Sequence, residues 1–259
     1  MAATPEPRRV GRPRNGPGVR LSPTPTDAAT RYAFVHGVRR TKQTLDEWQR
    51  DPWPALRRWF AGSLLAALAL LGATWLVAAS SGANGFSVQT IGPPFHVGDI
   101  GNVSVILSKN LLVLALHAMA CVAGFIAGAS LPLQAQERTG MSRAIHEHGG
   151  KIAIGFVIAA TTFSLLAQAI VLGGETAAVA ARLHTTPGML LVVLLPHALI
   201  ELSALFLPLA AWIIASRRGD WDQLLAATVV TVAIALPMLV VSAMIEVYIS
   251  PHVLHGLLR

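Results

Sequence analysis

The sequence predicts an all-α polytopic membrane helix bundle of about five transmembrane helices, led by a disordered basic N-terminal tail. Three observations point there. The chain of 259 residues is 53% hydrophobic and only 13% charged, where a soluble domain carries about 25% charged residues. Its apolar residues come in long unbroken runs rather than in amphipathic stripes, and crossing a bilayer takes roughly 20 of them in a helix. Its Lys and Arg residues crowd into the N-terminal part, with 12 of 20 in residues 1–58.

Residues 1–40 form the expected disordered tail. Its first part is rich in Pro, Gly, Arg and Thr (PEPRRVGRPRNGPG, LSPTPT) and has no apolar period. The first long apolar run starts near residue 60, too far in for a cleaved secretory signal. Residues 41–58 read as an interfacial amphipathic segment, broken at Pro54, with Trp48, Trp53 and Trp59 at headgroup depth and Arg57 and Arg58 at the border. Residues 59–251 hold the transmembrane domain. Its expected spans are Phe60–Ala79, Asn110–Leu131, Ile152–Leu172, Gly188–Ser216 and Leu224–Ile249, and 252–259 form a short outer C-terminal tail. Pro196 and Pro208 are expected to break or kink the fourth span, and Pro251 to end the fifth.

Orientation follows from the positive-inside rule. With the N-terminus in the cytoplasm, the inner side collects 17 Lys and Arg, including Arg138, Arg143, Lys151, Arg217 and Arg218. The outer side keeps 3, namely Lys109, Arg182 and Arg259. The net charge of +7 is therefore spent on topology and anionic lipid. No recognition motif accompanies it, so nucleic acid is not an expected partner.

Ionisable residues inside spans are expensive and mark candidate sites. Lys109, Asn110, His197, Glu201 and Glu246 all fall in the outer half of the predicted bundle, and they form the candidate polar cluster. His197 and Glu201 are spaced i, i+4 and share a helix face. Glu201 is free to accept from His197 or to pair with Lys109. One cation against two carboxylates leaves an acid for another partner. The bland reading is polar glue between helices; the sharper one is a proton, ion or ligand site. His117, His197 and Glu201 are weak metal candidates, because the HxxxE spacing is far less specific than HExxH. No cofactor is expected. Ala120, Gly124 and Gly128 repeat every four residues, a stripe that suits close helix packing within the subunit or across a homodimer. Cys121 reads as a small buried hydrophobe. The P-loop, GxSxG, HExxH and dinucleotide motifs are all missing from the sequence.

Two motifs carry a family resemblance. Leu195-Pro196-His197-Ala198-Leu199-Ile200-Glu201-Leu202 is similar to the Pro-His-Gly-x-x-Glu-Leu pattern in the penultimate helix of the stage II sporulation protein M family. Ile245-Glu246-Val247-Tyr248-Ile249-Ser250-Pro251 is similar to the end of that family's last helix. Lys109-Asn110 and the run to Gly128 resemble the head of its second helix, and the likeness extends over about residues 59–251. Ala198 stands where the family usually has Gly, and Lys109 where a second Asn is common. The resemblance implies a multi-pass bacterial membrane protein. In spore formers the founding member belongs to a membrane complex with peptidoglycan-degrading proteins.

Three functions follow as expectations. The first is a non-catalytic scaffold or subunit of a cell-envelope complex in the bacterial cytoplasmic membrane, with lipids and other envelope membrane proteins as partners. The second is a permease or channel-like subunit using the His, Glu and Lys cluster. The third is an intramembrane metal-dependent enzyme.

Overall fold

In the computed structural model, residues 25–81, 100–130 and 140–257 are described, and they are helical apart from short connections. The elements are α1 (Pro25–Arg50), α2 (Trp53–Ser81), α3 (Ile100–Phe125), α4 (Gly140–Arg182), α5 (Pro187–Arg218), α6 (Leu224–Met244) and α7 (Ser250–Leu257). Single π-helical turns close α3 (Ile126–Ser130) and join α6 to α7 (Ile245–Ile249). Five helices are long and apolar enough to cross a membrane: Trp53–Ser81, Ile100–Gly128, Ile154–Arg182, Pro187–Arg218 and Trp221–Val253. The chain is an integral membrane protein with an all-α fold.

α5 is the central helix. Residues Ser203 to Trp212 are buried without interruption, because α2, α3 and α6 all pack around it. Gly62 makes room for Ala210, whose Cβ would lie 3.1 Å from a Cβ at position 62. α4 is the outlying span and packs chiefly on α2. Gly173 allows that approach, since a Cβ there would lie 2.9 Å from the backbone oxygen of Thr74. α5 starts cleanly, with the Thr186 hydroxyl accepting from Met189 N at 3.2 Å and Pro187 at the first helical position, where its missing N–H is not needed. Gly219 ends it in the left-handed region, at φ 74°. His184 (φ 52°) does the same after α4, where His184 N and Thr185 N return to the carbonyls of Ala181 and Ala180.

Several boundaries differ from expectation. Residues 25–40 are helical rather than tail, because α1 opens on Pro25 at a position that tolerates it. The break falls at Asp51-Pro52, not Pro54, which lies inside the first turn of α2; the expected 41–58 segment is thus shared by two helices. Trp59 is core, 5% exposed, and meets Trp48 edge-to-face at 4.9 Å. Of the three tryptophans, only Trp53 is largely exposed. α3 starts at Ile100 rather than Asn110, because Val103 and Ile106 pack against Ala243 and Val247. The third span extends ten residues past Leu172 in one helix. Pro196 and Pro208 do not break α5, which is continuous, and Pro251 lies inside α7 rather than ending the helical run. Residues 82–99, Arg138 and the tail before Pro25 lie outside the described residues.

Candidate functional site

The site is easiest to build from the prolines outward. A proline removes one backbone donor and pushes away the carbonyls of the preceding turn. Around Pro208, two carbonyls of α5 are met by side chains of α3. His117 Nδ1 lies 2.9 Å from the oxygen of Leu205, and Cys121 Sγ donates to the oxygen of Pro208 at 3.1 Å. His117 and Cys121 are one helical turn apart, so one face of α3 meets both carbonyls. Only the tautomer with a proton on Nδ1 can donate to that carbonyl.

The last motif works differently. Pro251 has no N–H to return to the turn before it. That turn widens to a π turn, in which Ser250 N reaches back to Ile245 O. Such turns are rare and gather at functional sites. Here the π turn carries Glu246 and aims Ser250 inward. The Ser250 hydroxyl lies 2.8 Å from His197 Nδ1 and 3.3 Å from Ile245 O. About two turns before Ser250, the buried Ser242 hydroxyl donates to His197 O at 3.0 Å and reaches Glu201 Oε2 at 3.4 Å. Both motifs of the sequence are therefore physically one structure, in which two serines of the last span hold His197 and Glu201 of α5.

Lys109 and Asn110 come to the same place from α3. Asn110 is buried, acts electrostatically on Glu201, and leaves its Nδ2 buried without a hydrogen-bond partner. Lys109 is exposed and acts on Glu246 across a gap too long for an ion pair; the one salt bridge among the described residues is Arg40–Asp222 at 4.0 Å. The two residues stand nearly three turns into α3 rather than at its head. Glu201, with His197 and Lys109 as its two expected partners, is instead bonded to Ser242, and His197 is bonded to Ser250.

A cavity of about 190 Å³ opens beside this cluster. Its walls are leucines of α2, α4 and α5, including Leu70, Leu172, Leu194 and Leu202. Its polar groups are Thr74, Thr176, His197, Glu201 and Glu246. Thr74 is 3% exposed, and its hydroxyl has no hydrogen-bond partner among the described residues. Thr74, Ser242 and Ser250 are the members that sequence reasoning passed over as site residues. Small hydroxyl residues inside an apolar run carry no charge signal, although Ser250 already stood in the quoted motif.

The remaining candidates fall elsewhere. His117, His197 and Glu201 are not brought together: His117 is committed to Leu205 O, and among the described residues no three His, Cys, Asp or Glu side chains converge as a metal site. Gly124 and Gly128 do serve packing, but as sockets for rings. A Cβ at Gly124 would collide with Trp212 Nε1, and one at Gly128 with the Trp221 ring. Ala120 is half-buried on the same stripe.

No curated protein and no solved structure matches the chain. A family does: residues 152–251, which hold the last three spans and both motifs, match the model of stage II sporulation protein M. Over those residues, which carry the last three spans and the His197, Glu201 and Glu246 part of the polar cluster, the chain is similar to the stage II sporulation protein M family.

Proposed function

We propose that this protein is a non-catalytic membrane subunit that assembles other proteins of the cell envelope. In this reading it sits in the bacterial cytoplasmic membrane with its N-terminus in the cytoplasm, alone or as a homodimer. The observation that carries the reading is the two-faced character of α1. Thr44, Trp48 and the Arg40–Asp222 pair hold one face of α1 on the bundle. Val35, Val38, Arg39 and Lys42 repeat at helical spacing along another face and are exposed. A rigidly docked helix with a mixed basic and apolar stripe suits an acidic partner surface at the headgroup layer. The buried serines support the same reading from inside, since the polar residues of α5 are largely committed to interhelical bonds that fix the platform.

The test is purification from native membranes in mild detergent, with mass spectrometry of what stays bound. Stoichiometric envelope proteins are expected, and they should be lost when Val35, Val38, Arg39 and Lys42 are replaced by Ser. A clean, unaccompanied protein from native membranes would remove this reading. A permease-like subunit is the second reading, favoured by the cavity at Glu201 and Glu246 within the spans. Liposome flux that is unchanged by Glu201→Gln and Glu246→Gln would exclude it.

A further inference from the structure

The serine bonds account for only part of the polar cluster. Glu246 makes neither a hydrogen bond nor an ion pair among the described residues. Glu201 uses one oxygen, Oε2, for Ser242. Thr74 is the most telling member. Hydroxyls in these helices normally turn back to a carbonyl one turn earlier, as Thr176 does to Leu172 O and Thr231 to Ala227 O, both at 2.7 Å. Thr74 does not, and its oxygen stays buried and unpartnered on the cavity wall. A buried polar atom without a partner is costly, so an occupant that supplies one is favoured.

We infer that this cavity binds a primary alkylammonium group, with its nitrogen among Thr74, Glu201 and Glu246 and its carbon chain against the leucines. An ammonium has three donors and no acceptor, and three acceptors wait here. A hard cation such as Mg²⁺ or Ca²⁺ would want about six oxygens, more than this set offers, and among the described residues no three His, Cys, Asp or Glu side chains converge to hold a softer metal. An anion meets two carboxylates. A neutral apolar molecule would leave the hydroxyl and both acids unsatisfied. The volume of about 190 Å³ exceeds what one ion fills and leaves room for a short alkyl stem. Lys109, the nearby cation, does not line the cavity, so the protein does not fill the site with its own ammonium. Access is from the side. α4 packs on α2 and only lightly on α5, and the cavity lies in that seam, within the spans. Such a group can come from a free amine or from the ethanolamine headgroup of a membrane lipid. The site stands whether or not the chain recruits protein partners.

The full-length protein, delipidated in detergent, is titrated with n-pentylammonium chloride and, separately, with n-pentanol, following intrinsic tryptophan fluorescence and thermal stability. In parallel, protein in nanodiscs of phosphatidylcholine with phosphatidylethanolamine is analysed by native mass spectrometry. Saturable amine binding with no matching effect of the alcohol is expected, weakened about tenfold or more by Glu246→Gln and several-fold by Thr74→Val. Binding of the free amine identifies a soluble ligand, and selective retention of phosphatidylethanolamine alone identifies the lipid headgroup; either supports the site. Glu246→Gln is the decisive variant because Glu246 holds no hydrogen bond of the fold, and its helicity should match wild type. Equal binding of amine and alcohol, unchanged binding in a folded Glu246→Gln protein, or no binding of either probe would overturn the assignment.

Discussion

Replacing Gly173 by alanine should destabilise the bundle, while the same change at Gly72 should not. At Gly173 the new Cβ would lie 2.6 Å from Val77 Cβ and 2.9 Å from Thr74 O. Carbon atoms pack comfortably at about 3.5–4.0 Å, so α2 and α4 must separate by about 1 Å. Neither obstacle can swing away, because one is a backbone oxygen and the other a Cβ. Overpacking of this kind costs about 1–3 kcal/mol, and the upper end applies to rigid obstacles. Alanine returns about 1 kcal/mol through helix propensity, leaving a net loss of about 1–2 kcal/mol. At Gly72 nothing lies within 4 Å of the new Cβ, so only the propensity gain of up to about 1 kcal/mol remains. The two variants should move in opposite directions in SDS-driven unfolding from mixed micelles, followed by tryptophan fluorescence. If Gly173→Ala is as stable as Gly72→Ala, the close approach of α2 and α4 is refuted. A cavity that depends on this seam would then lose its geometric basis.

Other outcomes can be checked with simple means. Ser250→Ala and Ser242→Ala should each lower stability by about 0.5–2 kcal/mol, and Ser250→Ala should show energetic coupling to His197→Ala in a double-mutant cycle. His117→Leu should cost about 1 kcal/mol by removing the ring's hydrogen bond to Leu205 O. Cys121 is 0% exposed and should resist maleimide in the folded protein but react fully after denaturation, by mass shift. Gly128→Ala should be tolerated better than Gly124→Ala in the same unfolding assay. Its obstacle, Trp221, is half-buried and able to turn out, while Trp212 is enclosed.

The number and order of the spans were readable from the apolar runs, because a helix in a membrane need not alternate faces to be recognised. Their ends were not, and the reasons are local. Leu172 is followed by Gly173-Gly174-Glu175, which reads as the end of a span. The helix runs through because Gly173 is a contact point rather than a breaker. Ser104, Ser108 and Lys109 read as loop before the second span. Both serine hydroxyls bond back to their own helix, to Gly101 O at 2.8 Å and Ser104 O at 2.7 Å, which hides their polarity. In the site, charge drew attention to Glu201 and Glu246, and helical spacing joined His197 to Glu201. Nothing in the spacing told that His197 would turn to Ser250, since that contact spans 53 residues and depends on the π turn.

That turn amounts to one residue more than a regular helix would hold between Met244 and Ser250. If it tightened to ordinary α geometry with the sequence intact, everything after it would rotate by about 100° and shift by about 1.5 Å. The hydroxyl of Ser250 would swing off His197, and α7 would turn a new side toward its surroundings. Deleting a single residue within 245–249 would instead absorb the excess and leave both flanks where they are. The C-terminal helix is thus keyed to the polar cluster like the hand of a clock to its spindle, by phase rather than by length.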